Sequence, residues 1–199
     1  MAAVQGAILA GGQARRMGGT PKGLLPVGGI RILDRLVAAF QEALGGLPLL
    51  VANAPDARGW RPGLRVVPDR IPGGGTLAGL HSAVLEAPAP VVAVAWDMPF
   101  VTPGLIAALA QGLGSADVVI PASGGRRGVE PLCAGYGPAT GPAMAAAIER
   151  GDLRAIAFHE AVRVRIIPEA ELLAFGDPGR LFFNVNTPED LVRANGMAS

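Results

Sequence analysis

Two charged residues of this chain sit in settings that point to chemistry: Lys22 at the end of a glycine loop, and Asp97 at the end of an apolar run. The loop reads Leu9-Ala10-Gly11-Gly12-Gln13-Ala14-Arg15-Arg16-Met17-Gly18-Gly19-Thr20-Pro21-Lys22 and leads into Gly23-Leu24-Leu25-Pro26. A strand that stops at paired glycines leaves backbone N–H groups free to point at an anion. Glycine also lets the backbone approach a phosphate chain closely. Arg15, Arg16 and Lys22 supply mobile positive charge around such a ligand. The spacing is not that of a P-loop, G-x-x-x-x-G-K-[ST], because Pro21 precedes Lys22 and Gly23 follows it. Nor is it the dinucleotide fingerprint G-x-G-x-x-G.

Asp97 closes the run Val91–Trp96 and opens the turn Asp97-Met98-Pro99-Phe100. A carboxylate fixed there suits Mg²⁺, which takes one or two carboxylates together with phosphate oxygens. It is not needed as a helix N-cap, since Thr102 stands directly before Pro103. Asp69 follows the run Leu64–Val67. Its carboxylate is able to accept two N–H bonds from guanine N1 and the exocyclic amine, or to bind ribose hydroxyls; a plain turn or a salt bridge to Arg70 is the alternative. Asn53, in Ala52-Asn53-Ala54-Pro55, is read either as a contact to base or ribose or as an ordinary turn residue. A second glycine loop, Gly73-Gly74-Gly75-Thr76-Leu77-Ala78-Gly79, runs into a helix and is placed to wrap base or acceptor. Asn184 and Asn186 alternate along an extended stretch and so face the same side, where they bind an acceptor or brace the Asp97 loop.

These residues need rigid elements to hold them. Strands are expected at Val4–Leu9, Pro48–Ala52, Leu64–Val67, Val91–Trp96, Val118–Pro121, Glu130–Tyr136 and Val162–Ile167. Helices are expected at Ile32–Leu44, Leu77–Glu86, Pro103–Leu113 and Pro138–Arg150, with a last one starting at Thr187. The alternation predicts an α/β fold: a mostly parallel central sheet with helices on both faces. Asn53, Asp69 and Asp97 then fall at the carboxyl ends of strands, where ligands bind open α/β sheets. The layout expected is one domain over residues 1–199, its first half binding nucleotide and its second half shaping the acceptor site.

Composition narrows the class. The chain has 199 residues, half of them apolar, and a formal net charge of +1. That balance implies no polyanion-binding surface, so nucleic acid is not an expected partner. No apolar run reaches ~20 residues and no leader pattern opens the chain, so a cytoplasmic protein without a membrane span is expected. Cys133, the one cysteine, is read as core filler. His81 and His159 have no partners at metal-ligand spacing, and G-x-S-x-G is absent. Glu130, before Pro131-Leu132, is a candidate to approach the acceptor.

Taken together, the opening loop, Gly75-Thr76-Leu77-Ala78-Gly79, Asp97-Met98-Pro99-Phe100 and Asn184-Val185-Asn186-Thr187-Pro188-Glu189 resemble the molybdenum cofactor guanylyltransferase family. The resemblance runs from about Val4 to Leu191. The opening loop is shared by related nucleotidyltransferases. Gly12 is more telling, and the related cytidylyltransferase typically has a second Ala where this chain has Gly11.

The resemblance implies a Rossmann-like three-layer sandwich of the glycosyltransferase-A type. It implies transfer of GMP from GTP to Mo-molybdopterin with release of diphosphate, and molybdoenzymes or other cofactor-biosynthesis proteins as protein partners. By residue match, Leu9, Ala10, Gly11, Gly12, Lys22, Asn53, Asp69, Gly79 and Asp97 would bind GTP, and Asp97 would also hold Mg²⁺. The acceptor's phosphate oxygen is already an anion and needs no general base. Catalysis then reduces to positioning and charge neutralisation by Lys22, Arg16 and Asp97. The open alternatives are a relative using CTP with molybdopterin, one using a nucleoside triphosphate with a sugar 1-phosphate, and a silent nucleotide-binding protein.

Overall fold

Every residue from Val91 to Ala95 is buried, and a strand of that kind needs helices on both of its faces. The computed structural model, which describes residues 3–11, 20–125 and 128–198, supplies them. Strand β1 (Gln5–Leu9) is followed by a 3-10 turn at Lys22–Leu24, a short hairpin of β2 (Pro26–Val27) and β3 (Ile30–Arg31), and helix α1 (Ile32–Leu44). Next come β4 (Leu49–Val51), β5 (Val66–Val67), α2 (Gly75–Glu86), β6 (Val91–Ala95), α3 (Pro103–Gly112) and β7 (Val118–Pro121). The chain continues with β8 (Cys133–Tyr136), α4 (Thr140–Glu149), β9 (Val164–Ile167), α5 (Glu169–Leu172), α6 (Pro178–Leu181) and α7 (Pro188–Met197).

The main sheet has seven strands in the order β5-β4-β1-β6-β8-β7-β9. All its pairings are parallel except those of β8, which runs antiparallel to both neighbours. The expected strand at Glu130–Tyr136 is thus present in shortened form and reversed in direction. The cause is the connection: among the described residues no helix intervenes between β7 and β8, and a parallel return needs a crossover of a dozen or more residues.

Side chains alternate across the sheet as the pleat requires. Ile8, Val92, Val94 and Cys133 face the layer of α1 and α3, with Leu172 and Leu181 added to it. Ala7, Leu9, Val91, Ala93, Ala134 and Tyr136 face the layer of α2 and α4. This is the three-layer α/β sandwich expected. Its helix ends follow their sequence signals. Thr102 accepts from Leu105 N and carries Pro103 at the first helical position. Thr187 and Asp190 form a reciprocal capping box at the start of α7. The hairpin and the short helices α5 and α6 were not expected, because two-residue strands and four-residue helices carry no periodicity to read. No helix among the described residues is long and apolar enough to cross a membrane.

Register sets the site. Leu9 pairs with both Val51 and Ala95, and Val51 pairs with Val67. The ends of four adjacent parallel strands therefore lie on one line, and the residues after them emerge together. β1 holds this line only if α1 sits close, which Gly6 allows: a β-carbon there would lie 2.5 Å from Cδ1 of Phe40. Gly6→Ala is expected to cost about 1–3 kcal/mol of stability through overpacking, measured by urea unfolding.

Candidate active site

A cavity of about 560 Å³ opens along that line of strand ends. Leu9, Ala10, Gly11, Lys22, Asn53, Asp69, Gly79 and Asp97 all line it. Gly12 and Arg16 lie outside the described residues. A larger depression of about 670 Å³ beside α1, near Asp34, Phe100 and Arg180, gathers none of the sequence-predicted site residues.

Asp97 stands one residue beyond Trp96, whose backbone N–H donates to Leu9 O at 3.2 Å. Its carboxylate is largely buried, with 17% of the side chain exposed. Loss of hydration raises its pKa above the usual carboxylate range; the nearby Lys22 charge and hydrogen bonds oppose this without cancelling it. Lys22 Nζ lies 3.4 Å from Asp97 Oδ2 and donates to Asn186 Oδ1 at 2.5 Å. The cavity rim thus holds a desolvated carboxylate and an amide oxygen around one ammonium.

Val185 N donates to Asp97 O at 2.8 Å, so the C-terminal segment braces the Asp97 turn through its backbone. Asn186 reaches Lys22, whereas Asn184 turns to Phe182 O at 2.9 Å. The two amides therefore take different partners despite their shared spacing.

On the far side, Asn53 and Asp69 form a reciprocal pair. Asn53 Nδ2 donates to Asp69 Oδ2 at 2.7 Å, and Asp69 N donates to Asn53 Oδ1 at 2.8 Å. The alternative of an Asp69–Arg70 bridge is not seen: Arg70 pairs with Glu86 at 2.6 Å. Asp69 is left presenting its carboxylate to the cavity, next to Gly79 and the first turn of α2. Gly73 and Gly75 shape this rim with positive φ values of 81° and 61°, a backbone that side-chain-bearing residues rarely adopt.

Sequence reasoning missed Trp96 and Leu132 as lining residues. Trp96 was legible only as the last residue of an apolar strand; its place directly before Asp97 was the available signal. His81 and His159 do not line the cavity. Burial pushes the Cys133 thiol well up, which leaves it protonated and unfit as a nucleophile. No group of three His, Cys, Asp or Glu residues able to hold a metal occurs among the described residues.

Comparison with known proteins decides the family. Residues 6–164 match the model of the MobA-like NTP transferase domain. A probable molybdenum cofactor guanylyltransferase of Pelotomaculum thermopropionicum is 39% identical, over 97% of this chain and 92% of that one. The molybdenum cofactor guanylyltransferase of Desulfosudis oleivorans is 32% identical, over 98% and 95%. The chain belongs to the MobA-like NTP transferase family, among the molybdenum cofactor guanylyltransferases. Among solved structures, molybdopterin-guanine dinucleotide biosynthesis protein A of Archaeoglobus fulgidus superposes with a TM-score of 0.80 at 27% identity, covering 97% of each chain. The 2-C-methyl-D-erythritol 4-phosphate cytidylyltransferase of Thermus thermophilus, at 23% identity and a TM-score of 0.65 over 98% of each chain, shares the fold. Membership agrees with the family that the opening loop, the Asp97 turn and the Asn184–Glu189 segment resemble.

The raised pKa of Asp97 has a consequence for stability. Above that pKa the folded, ligand-free protein bears an ionised carboxylate that is costlier there than in the unfolded chain. Below the unfolded value, about 3.9, both states are protonated and the cost disappears. Asp97→Asn, which cannot ionise, is therefore expected to be at least as stable as the parent at neutral pH. That advantage should shrink as pH falls toward 4. Unfolding midpoints of the two ligand-free proteins across pH 4 to 8 test this; a variant that is less stable at neutral pH contradicts it.

Proposed function

We propose that the chain transfers GMP from GTP to Mo-molybdopterin, giving molybdopterin guanine dinucleotide and diphosphate. One observation carries the reading: in a member of this family, Lys22 from a 3-10 turn and Asp69 and Asp97 from two separate strand ends line one cavity with Leu9, Ala10 and Gly11.

The division of labour follows from the geometry. Asp69, oriented by Asn53, presents acceptor oxygens. Guanine offers N1–H and an exocyclic amine to such a group, whereas adenine offers an acceptor at N1. Lys22 stands 3.4 Å from Asp97 and is the cation among the described residues that line the cavity. Ala10 and Gly11, directly after β1, line the same region, with the Ala10 N–H itself held by Val51 O at 2.8 Å. The acceptor phosphate attacks the α-phosphorus as an oxyanion, so no general base is required. The protein's part is to align attacking and leaving oxygens and to spread the developing charge.

The residues present fit Mg²⁺. Asp97 Oδ2 and Asn186 Oδ1 are hard oxygens that already surround a cationic group, the Lys22 ammonium. One carboxylate together with phosphate oxygens is the donor set Mg²⁺ commonly takes. Bound there, the ion would neutralise phosphate charge and polarise the α-phosphate. Arg16 belongs to the same proposal as a second phosphate cation.

Base choice is expected to be steep. A site built to hydrogen-bond a base rejects one that lacks the matching groups by roughly ten-thousand-fold. Diphosphate release with GTP, CTP, ATP or UTP, in the presence of Mg²⁺ and Mo-molybdopterin, tests it; turnover with CTP in place of GTP would move the chain to the cytidylyl branch. Lys22→Ala should weaken triphosphate binding, and Asp97→Asn should slow single-turnover transfer by on the order of a hundredfold or more while sparing most GTP affinity. Equal GTP and ATP binding by calorimetry, or a near-parental rate in the Asn variant with unchanged Mg²⁺ dependence, would overturn the assignment.

A further inference from the structure

Two dipeptides face each other at the cavity rim: Lys22-Gly23 and Trp96-Asp97. The Lys22 and Asp97 side chains meet at 3.4 Å. The neighbouring pair meets more tightly. Gly23 is buried, and a β-carbon built on it would lie 2.4 Å from Cε3 and 3.0 Å from Cδ2 of Trp96. The backbone of the lysine turn therefore rests directly on the indole.

That indole has little freedom to yield. Trp96 is 3% exposed and stacks on Trp60, with ring centroids 5.1 Å apart and planes 23° from parallel. Trp60 is itself anchored: its Nε1 donates to Asp56 Oδ2 at 2.9 Å, and its carbonyl accepts from Arg31 at 3.0 Å. The lysine turn is held from the other side as well, since Ile32 at the start of α1 donates its N–H to Leu25 O at 3.1 Å.

Among the described residues the buried indole N–H of Trp96 has no hydrogen-bond partner. A phenylalanine would avoid that unmet donor. What the larger ring adds is a flat surface, and Gly23 occupies it.

We propose that Trp96 is a positioning residue for nucleotidyl transfer: its ring, backed by Trp60 and met by the bare backbone of Gly23, sets how far the Lys22 turn stands from Asp97. It touches the reacting groups through Lys22 rather than by itself. The proposal rests on the reading above that Lys22 serves the triphosphate. It predicts that Gly23 is required here for closeness, not for backbone conformation, because its φ is not positive.

A methyl at position 23 must push the turn off the ring. Misplacing a catalytic group by about 1 Å costs on the order of a hundredfold in rate. The experiment is a cycle of four proteins: parent, Gly23→Ala, Trp96→Leu and the double variant. Each is assayed for kcat and KM with GTP and for its unfolding midpoint. Gly23→Ala should lose roughly ten- to a hundredfold in kcat/KM while still unfolding cooperatively. The double variant should recover a large part of that loss, because leucine vacates the space the methyl needs. Recovery of activity without matching recovery of stability is what a merely structural contact would not give.

Parental kinetics in Gly23→Ala, or losses in the double variant that simply multiply, overturn the proposal. If the Gly23→Ala protein does not fold, Trp96→Phe carries the test alone: it withdraws the surface without a clash, and unchanged kcat and KM would refute the role. Lys22→Ala, run alongside, separates the two levels. Parental kinetics in that variant would remove the function assigned to Lys22, whereas a strong defect there with a silent Gly23→Ala would remove only the role of Trp96.

Discussion

A carboxylate held out of water at the end of a fully buried strand is the constraint around which the rest of the site is arranged. Asp97 follows five consecutive buried residues of β6, so neither its backbone nor its depth is free to adjust. Burial raises its pKa, and the protein answers with a cation from another element, Lys22, at 3.4 Å. Lowering the cost of that charge requires the lysine loop to return to the sheet edge. It returns through a 3-10 turn, Lys22–Leu24, set on the indole beside Asp97.

The C-terminal segment closes the arrangement. Val185 donates to the Asp97 carbonyl and Asn186 accepts from Lys22. Helix α7, started by the Thr187–Asp190 capping box, then carries Asn195 to the β2–β3 hairpin, where its Oδ1 accepts from Gly28 N at 3.0 Å. The lysine turn and the hairpin after it are thus each tied to the C-terminal segment, more than 160 positions away in the chain. A lysine on an unsupported loop would lose more side-chain and backbone entropy when it orders on a phosphate. Prior fixing of this kind moves that loss to the folding step, where core burial offsets it.

Much of this was legible in the residues. The apolar runs located β1, β4, β6 and β7, because strands buried on both faces leave an uninterrupted apolar signal. Knowing that they pair in parallel placed Asn53, Asp69 and Asp97 on one edge before any distance was known. The direction of β8 was not legible, since it depends on what a connecting segment fails to form. The separate partners of Asn184 and Asn186 were not legible either. Alternation fixes which side an amide faces, not whether it bonds to its own turn, as Asn184 does to Phe182, or to a lysine from the other end of the chain.

Trp96 shows where reading by residue class reaches its limit. An apolar residue at the end of an apolar strand counts as core, and by burial it is core. Yet it is also a wall of the cavity. The strand ends where burial ends, so its last residue belongs to both environments. Here that residue is the largest available, and the chain segment opposite it is glycine. A large ring against a bare backbone brings two main chains to a fixed spacing with no hydrogen bond between them. Rigidity at that contact comes from packing, in which a single added methyl is felt. The chemistry assigned to Lys22 and Asp97 depends on their separation, and that separation is set by the neighbouring pair that carries no charge.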